Sequence, residues 1–204
     1  MKFDDIRRAR KIRNIELRIE MDQLKKERLK LHSIAHLDRL TGIYNRRAMQ
    51  EQFEQFLRGE FATEGESFAG LLLDVDYFKE YNDLYGHLAG DETLRRIAKV
   101  LSDKAKAFGG KVYRYGGDEF LMFFETMAEE SADQLTQELM EGIEGLQIPH
   151  KLCCGSKWVT CSAGILLAKR EELISFDRIF AKMDEALYLA KRRGRNRVES
   201  KIME

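Results

Sequence analysis

Proline and cysteine are both scarce in this 204-residue chain: one proline, Pro149, and three cysteines, two of them adjacent. A single proline leaves most of the chain free to form unbroken helices and strands, because the fixed φ and missing N–H of proline are what break them. An odd cysteine count with Cys153 beside Cys154 does not make an extracellular disulfide framework and fits a reducing compartment. Cys161, in a strand-like run, reads as a small core residue. No second His or Cys stands at metal spacing, which argues against zinc. No apolar run approaches the ~20 residues of a membrane span, and no signal-peptide pattern follows the charged N-terminus. A net charge is lacking as well, since 35 Lys and Arg meet 35 Asp and Glu. With 44% hydrophobic residues, the chain can bury one full core and has little left for a second domain.

The zero net charge hides an asymmetry. Residues 1–37 carry eleven Lys or Arg against six Asp or Glu. A basic segment of this kind raises nucleic acid as a partner, but its charges alternate in sign and are threaded by apolar residues. Ile12, Ile15 and Ile19 follow one register, whereas Leu17, Met21, Leu24 and Leu31 follow another. The pattern is that of a long amphipathic helix that forms a homodimer as a short coiled coil, with no nucleic acid and no membrane as partner. A helix that packs on its own domain is the alternative. Residues 38–204 form the second unit, which contains no repeat and no low-complexity tract.

Along that unit the residue periodicity predicts alternating elements and an α/β class. Helices are expected over Arg46–Arg58, Tyr77–Leu84, Asp91–Phe108, Glu129–Gly145 and Phe176–Arg193. Strands are expected over Phe68–Leu73 and Trp158–Leu167, with a hairpin over Val112–Phe124. Pro149 falls in a connection from Gly145 to Gly155 that reads as a loop or an edge excursion.

Two constellations carry chemistry. Gly116-Gly117-Asp118-Glu119 sits between strand-like runs, a hairpin signal at whose tip backbone can approach a ligand closely. Strand alternation sends Asp118 and Glu119 to opposite faces, so they need separate roles. A purely structural hairpin accounts for the glycines equally well. Upstream, the apolar run Phe68–Leu73 ends in Asp74-Val75-Asp76, where a buried strand delivers carboxylates to its exposed end. Mg²⁺ prefers carboxylate and carbonyl oxygens and is commonly shared with phosphates, so Asp74, the Val75 carbonyl and Asp118 make a ligand set. Asp76 has a second reading, as the cap of the helix that follows.

Taken together the motifs resemble the GGDEF domains of bacterial diguanylate cyclases, which condense two GTP molecules into cyclic di-GMP. The resemblance covers residues 38 to about 200: Asp38-Arg39-Leu40-Thr41-Gly42, Asp74-Val75-Asp76-Tyr77-Phe78-Lys79, Asn82-Asp83, Gly90-Asp91, the hairpin, Val159–Gly164, Asp184–Tyr188, Lys191 and Gly194-Arg195-Asn196. It implies a mixed, mainly antiparallel sheet flanked by helices, akin to nucleotide cyclase and polymerase palm domains, in a cytoplasmic bacterial enzyme. It further implies that Asp74, Val75 and Asp118 hold two Mg²⁺ ions, with Mn²⁺ as a substitute, and that Glu119 acts at the attacking hydroxyl beside Asp118. Asn82 and Asp91 would read guanine, Gly116 and Gly117 would line the triphosphate, and Lys79 would reach phosphate or pair with a nearby acid. His87 reads as structural. Lys191 and Arg195 would clamp phosphate, either from one face of a continuing helix or with Gly194 ending that helix before Arg195. Their null is a basic helix C-terminus favoured by the macrodipole.

The chain departs from the family pattern at the Arg-x-x-Asp inhibitory site, where Ala107 and Gly110 stand, so inhibition by product through that site is not expected. A second departure is Tyr44, where proline is common. Besides an active cyclase, two readings are compatible with the motifs: a silent module that binds GTP or cyclic di-GMP, and a cyclase of relaxed purine specificity. The intact Asp118 and Glu119 weigh against the first, and the acid at Asp91 against the second.

Overall fold

The computed structural model describes residues 13, 17–23, 25, 27, 35–58, 67–151, 153, 155–169, 172 and 175–202. Their centre is a six-stranded sheet in the order β1-β3-β4-β2-β5-β6. The strands are β1 (Tyr44–Asn45), β2 (Ser67–Val75), β3 (Lys111–Gly116), β4 (Glu119–Phe124), β5 (Cys161–Lys169) and β6 (Val198–Ile202). The four inner strands pair antiparallel, and the short edge strands β1 and β6 pair parallel with β3 and β5. Five helices cover the faces: α1 (Arg46–Leu57), α2 (Phe78–Tyr85), α3 (His87–Ala107), α4 (Glu129–Glu144) and α5 (Phe176–Arg192).

The continuous apolar run of β2 is explained by burial on both sides. Leu71, Leu73 and Val75 join Phe120, Met122 and Phe124 in a core under α3 and α4, where Leu94, Ile97, Leu101, Leu135 and Leu139 lie. Leu72, with Leu121 and Phe123, faces the opposite core under α1 and α5, built from Met49, Phe53, Phe56, Ile179, Met183 and Leu187. On α5 the buried residues Ile179, Met183, Ala186, Leu187 and Ala190 recur at helical spacing and define a single inward stripe. That helix sits unusually close to the sheet, because a Cβ on Gly164 would lie 2.2 Å from the Met183 carbonyl oxygen. The close approach brings the C-terminal turn of α5 over the end of β2.

Several boundaries differ from those predicted. β2 extends two residues further, so Asp74 and Val75 belong to the strand itself. α3 begins at His87, four residues earlier, directly after Gly86 at φ 85°. β5 begins at Cys161; Trp158 instead makes an isolated bridge with Pro149, so the proline connection is the edge excursion. The two parallel edge strands escaped the periodicity because two and five residues are too few to show alternation. Cys153 and Cys161 are both buried. Most of the N-terminal helix lies outside the described residues, including Ile12, Ile15, Leu24 and Leu31. Residues 17–23 are helical, with Leu17, Ile19 and Met21 exposed.

Candidate active site

The end of β2 and the β3–β4 turn lie side by side. Asp74 is paired across the ladder with Glu119, which sets both carboxylates on the sheet face covered by α5. The Lys191 ammonium, from the last turn of α5, meets Asp74 Oδ1 at 2.8 Å. Burial pushes the Asp74 carboxyl above its ordinary range against the pull of Lys191, and the charges of Asp118 and Asp76 add to the rise. Glu119 is raised by burial and by the neighbouring Asp74 and Asp118 carboxylates, with a contribution from Asp184 on α5. One ammonium does not offset so many carboxylates, which is the electrostatic signature of a site that takes up further positive charge.

The turn itself is braced. Gly117 has φ 52°, in the left-handed region that glycine tolerates, and a Cβ at Gly116 or Gly117 would meet only open space. The Arg114 guanidinium donates twice to the Gly117 carbonyl, at 2.9 and 2.7 Å, and once to Asp38 Oδ1 at 3.1 Å. Asp38 also accepts from the Thr41 amide at 2.9 Å and the Thr41 hydroxyl at 2.6 Å. This brace was not foreseen. The signal was present, since Asp38 followed by Thr41 has the spacing of an Asx turn.

On the other face of the sheet, α2 and α3 form a cleft of about 420 Å³ that runs to the turn. It is lined by Lys79, Asn82, His87, Asp91, Gly117 and Asp118, so the residues expected to read a base share one cavity with the proposed metal carboxylate. Among the described residues, Asn82 Oδ1 is the buried side-chain oxygen left without a hydrogen-bond partner. A buried acceptor of this kind costs stability unless a ligand supplies a donor. A Cβ on Gly90 would come within 1.9 Å of that oxygen, so the glycine next to Asp91 makes room for Asn82.

Two alternatives left open by the residue types are decided by the backbone. Asp76 does not cap α2, whose N-cap is Tyr77 at φ 55° with no side-chain cap. Asp76 points instead toward β5, accepting from Thr160 Oγ1 at 2.8 Å and Ser162 Oγ at 2.7 Å. Lys191 and Arg195 do not share a helical face, because α5 ends at Arg192 and Gly194 takes φ 109°. Arg195 follows the helix end and places its guanidinium 4.5 Å from the Tyr77 ring centroid. At the positions of the inhibitory motif, Ala107 ends α3, and a Cβ on Gly110 would strike the Phe124 ring at 2.3 Å. No longer side chain fits at Gly110 without moving the sheet.

The residues at the strand end fit a divalent cation. Lys191 already seats a cationic group on Asp74, and Asp118 lies close enough to raise the pKa of Asp74. No three His, Cys, Asp or Glu side chains converge at metal-binding distance among the described residues. The protein donors are thus few, as for Mg²⁺ that keeps water and substrate phosphate in its shell.

A mostly antiparallel sheet flanked by helices thus carries acidic residues at a glycine turn, with a cleft of about 420 Å³ beside it. Residues 35–197 match the family described as "Diguanylate cyclase, GGDEF domain", and the chain belongs to that family. It is 33% identical over 198 residues to diguanylate cyclase VdcA of Vibrio cholerae, covering 95% of this chain and 56% of that protein. It is 36% identical over 168 residues to diguanylate cyclase DgcM of Escherichia coli K12, covering 82% and 39% respectively. The chain thus spans about half or less of the length of these curated relatives. Among solved structures, the coiled coil and GGDEF domain of DgcB from Caulobacter crescentus, in complex with c-di-GMP, superimposes with a TM-score of 0.78 at 27% identity, covering 94% of this chain and 98% of that one. Diguanylate cyclase SiaD of Pseudomonas aeruginosa, in complex with its activator SiaC, gives 0.71 at 26% identity, covering 97% and 74%.

Proposed function

We propose that this chain is a diguanylate cyclase that joins two GTP molecules into cyclic di-GMP with loss of two pyrophosphates. The observation that carries the reading is the meeting, at one strand end, of an under-neutralised carboxylate cluster with a cleft holding an unpartnered amide oxygen. Asn82 Oδ1 accepts from a guanine N–H, and the Asp91 carboxylate accepts from the N1 and N2 donors, a pair that adenine lacks. Asp74, the Val75 carbonyl and Asp118 would hold two Mg²⁺ ions, or Mn²⁺ in their place. Bound there, the metal screens the triphosphate and polarises the α-phosphate.

The chain's own residues do the rest. The Arg114 brace holds the turn so that the backbone of Gly116 and Gly117 stays free of side chains where the triphosphate lies. Lys191 and Arg195 take the β- and γ-phosphates, and Lys191 exchanges its contact with Asp74 for phosphate as metal arrives. The 3′-hydroxyl oxygen of one GTP bonds to the α-phosphorus of the other as the bond to pyrophosphate breaks. Glu119, raised above the ordinary carboxylate range, is placed to take the hydroxyl proton. Two such displacements close the ring. Each domain supplies half of the site, so a homodimer is required. The exposed apolar residues Leu17, Ile19 and Met21 on the N-terminal helix support pairing through that helix, which aligns the two substrates. No helix among the described residues is long and apolar enough to cross a membrane.

Purified chain incubated with GTP and Mg²⁺ should yield cyclic di-GMP, whereas Asp118→Ala should yield none and ATP should not be consumed. Tight GTP binding without product at high protein concentration would instead make the chain a binding module.

A further inference from the structure

Asp76 has no part in the reaction above, yet its carboxylate is buried to 1% exposure beside the metal-binding strand end. Its Oδ1 accepts from Ser162 Oγ at 2.7 Å, and its Oδ2 accepts from Thr160 Oγ1 at 2.8 Å. The backbone N–H of Asn196 donates to the same Oδ2 at 3.1 Å, and Arg195 Nε stands 3.9 Å from Oδ1. The Ser162 hydroxyl of β5 and the Thr160 hydroxyl just before that strand thus fix the carboxylate, and the carboxylate fixes the loop that follows α5.

That loop needs fixing. Arg195 and Asn196 both lie in the left-handed region, at φ 62° and 47°, directly after Gly194 at φ 109°. Consecutive non-glycine residues hold this conformation only where surroundings impose it. The Arg195 N–H donates to the Ala190 carbonyl at 3.0 Å, and the Arg197 carbonyl accepts from the Ala163 amide at 2.9 Å. Between those two backbone anchors, Asp76 supplies the third. The next residue, Tyr77, itself left-handed, presents its ring to the Arg195 guanidinium at 4.5 Å.

We infer that Asp76 and Tyr77 are positioning residues for Arg195: the carboxylate sets the loop and the ring sets the guanidinium, so that a nucleotide triphosphate meets a pre-aimed arginine. The inference rests on the GTP reading of the site. Ordering a long arginine on binding is costly, and residues that order it beforehand convert that cost into affinity. Adjacent residues of the strand end would thereby serve two cations, with Asp74 and Val75 facing the metal and Asp76 and Tyr77 the arginine.

A double-mutant cycle tests this, with calorimetric binding of a GTP analogue carrying a methylene between the α- and β-phosphorus as the readout. Asp76→Asn is nearly isosteric, but its one acceptor oxygen faces three donors, so the anchor on Asn196 is loosened and the charge near Arg195 is lost. Tyr77→Ala removes the ring without touching the core. Each should weaken analogue binding by about five- to tenfold. In an Arg195→Ala background, neither should weaken it further. Full additivity with Arg195→Ala would overturn the inference, because a merely structural role does not depend on that guanidinium. So would unchanged binding in both single variants. Failure of the parent chain to bind the analogue would instead overturn the GTP reading, and this inference with it.

Discussion

Asp74 and Asp76 stand two residues apart at the end of β2, and their surroundings are opposite. Asp76 is enclosed by two hydroxyls and a backbone amide, all donating. Asp74 has Lys191 as its cationic partner, but burial, with the Asp118 and Asp76 carboxylates adding to it, raises its pKa. A fully hydrogen-bonded carboxylate belongs to the framework, whereas one that its surroundings leave under-neutralised awaits something absent from the chain. The largest expected effect follows from breaking that distinction. Asp74→Asn should lower cyclic di-GMP formation by about 10³-fold, since a metal contact is lost. The melting temperature of the metal-free protein at pH 7 should stay level or rise, because a carboxyl with a raised folded pKa is ionised there at the expense of folding. A marked fall in melting temperature would show Asp74 to be as structural as Asp76.

The reverse holds for Asp76→Ala. It strands the Thr160 and Ser162 hydroxyls and the Asn196 amide, at a cost of about 2–3 kcal/mol. In a chain of this size that lowers the melting temperature by about 5–10 °C, which differential scanning calorimetry would register.

Two glycines sharpen the same contrast. At Gly90 an added Cβ meets side chains, those of Asn82 and Phe78, whereas at Gly164 it meets the Met183 carbonyl and the Leu187 amide nitrogen of α5. Gly164→Ala should therefore destabilise by about 1–3 kcal/mol, because backbone must give way. Gly90→Ala should leave urea unfolding nearly unchanged and raise the KM for GTP about tenfold, by displacing Asn82, the residue proposed to read the base. Equal effects of both on stability would remove Asn82 from the binding site.

The sequence allowed some of this to be read and not the rest, for physical reasons. The acidic turn and the strand-end carboxylates were legible, because glycine pairs and acids at the end of an apolar run mark chemistry locally, whereas Asn82 and Asp91 were marked only by the family resemblance. Long elements such as α5 were legible from periodicity. The role of Asp76 was not, since its partners Thr160, Ser162 and Asn196 are brought to it across the sheet, between 84 and 120 residues along the chain. Whether Arg195 continued the helix depended on backbone dihedrals after Gly194 that residue types leave open. The edge strands β1 and β6 were too short to show a period.

The smallest effect concerns Asp38, whose titration should run opposite to that of Asp74. Burial alone would raise its pKa, but the Thr41 hydroxyl and amide and the Arg114 guanidinium outweigh burial and hold it below the ordinary range. A depressed folded pKa contributes stability that is present above the unfolded value of about 3.9 and is lost as pH falls through the folded pKa. Asp38→Asn should thus cost about 1 kcal/mol or less at pH 7, as expected for a pair that solvent still reaches in part. That deficit should persist down to about pH 5 and shrink below pH 4 as the parent protonates. For Asp74→Asn any stability gain should be full at pH 7 and fade as pH falls, beginning sooner on the way down than for Asp38, because the parent Asp74 takes up its proton first. Urea titrations of the two variants between pH 3.5 and pH 7 would show curves that converge on the parent from opposite sides. A single direction for both would mean that Asp38 and Asp74 share one electrostatic environment, and the brace on the turn would no longer be separable from the metal site it supports.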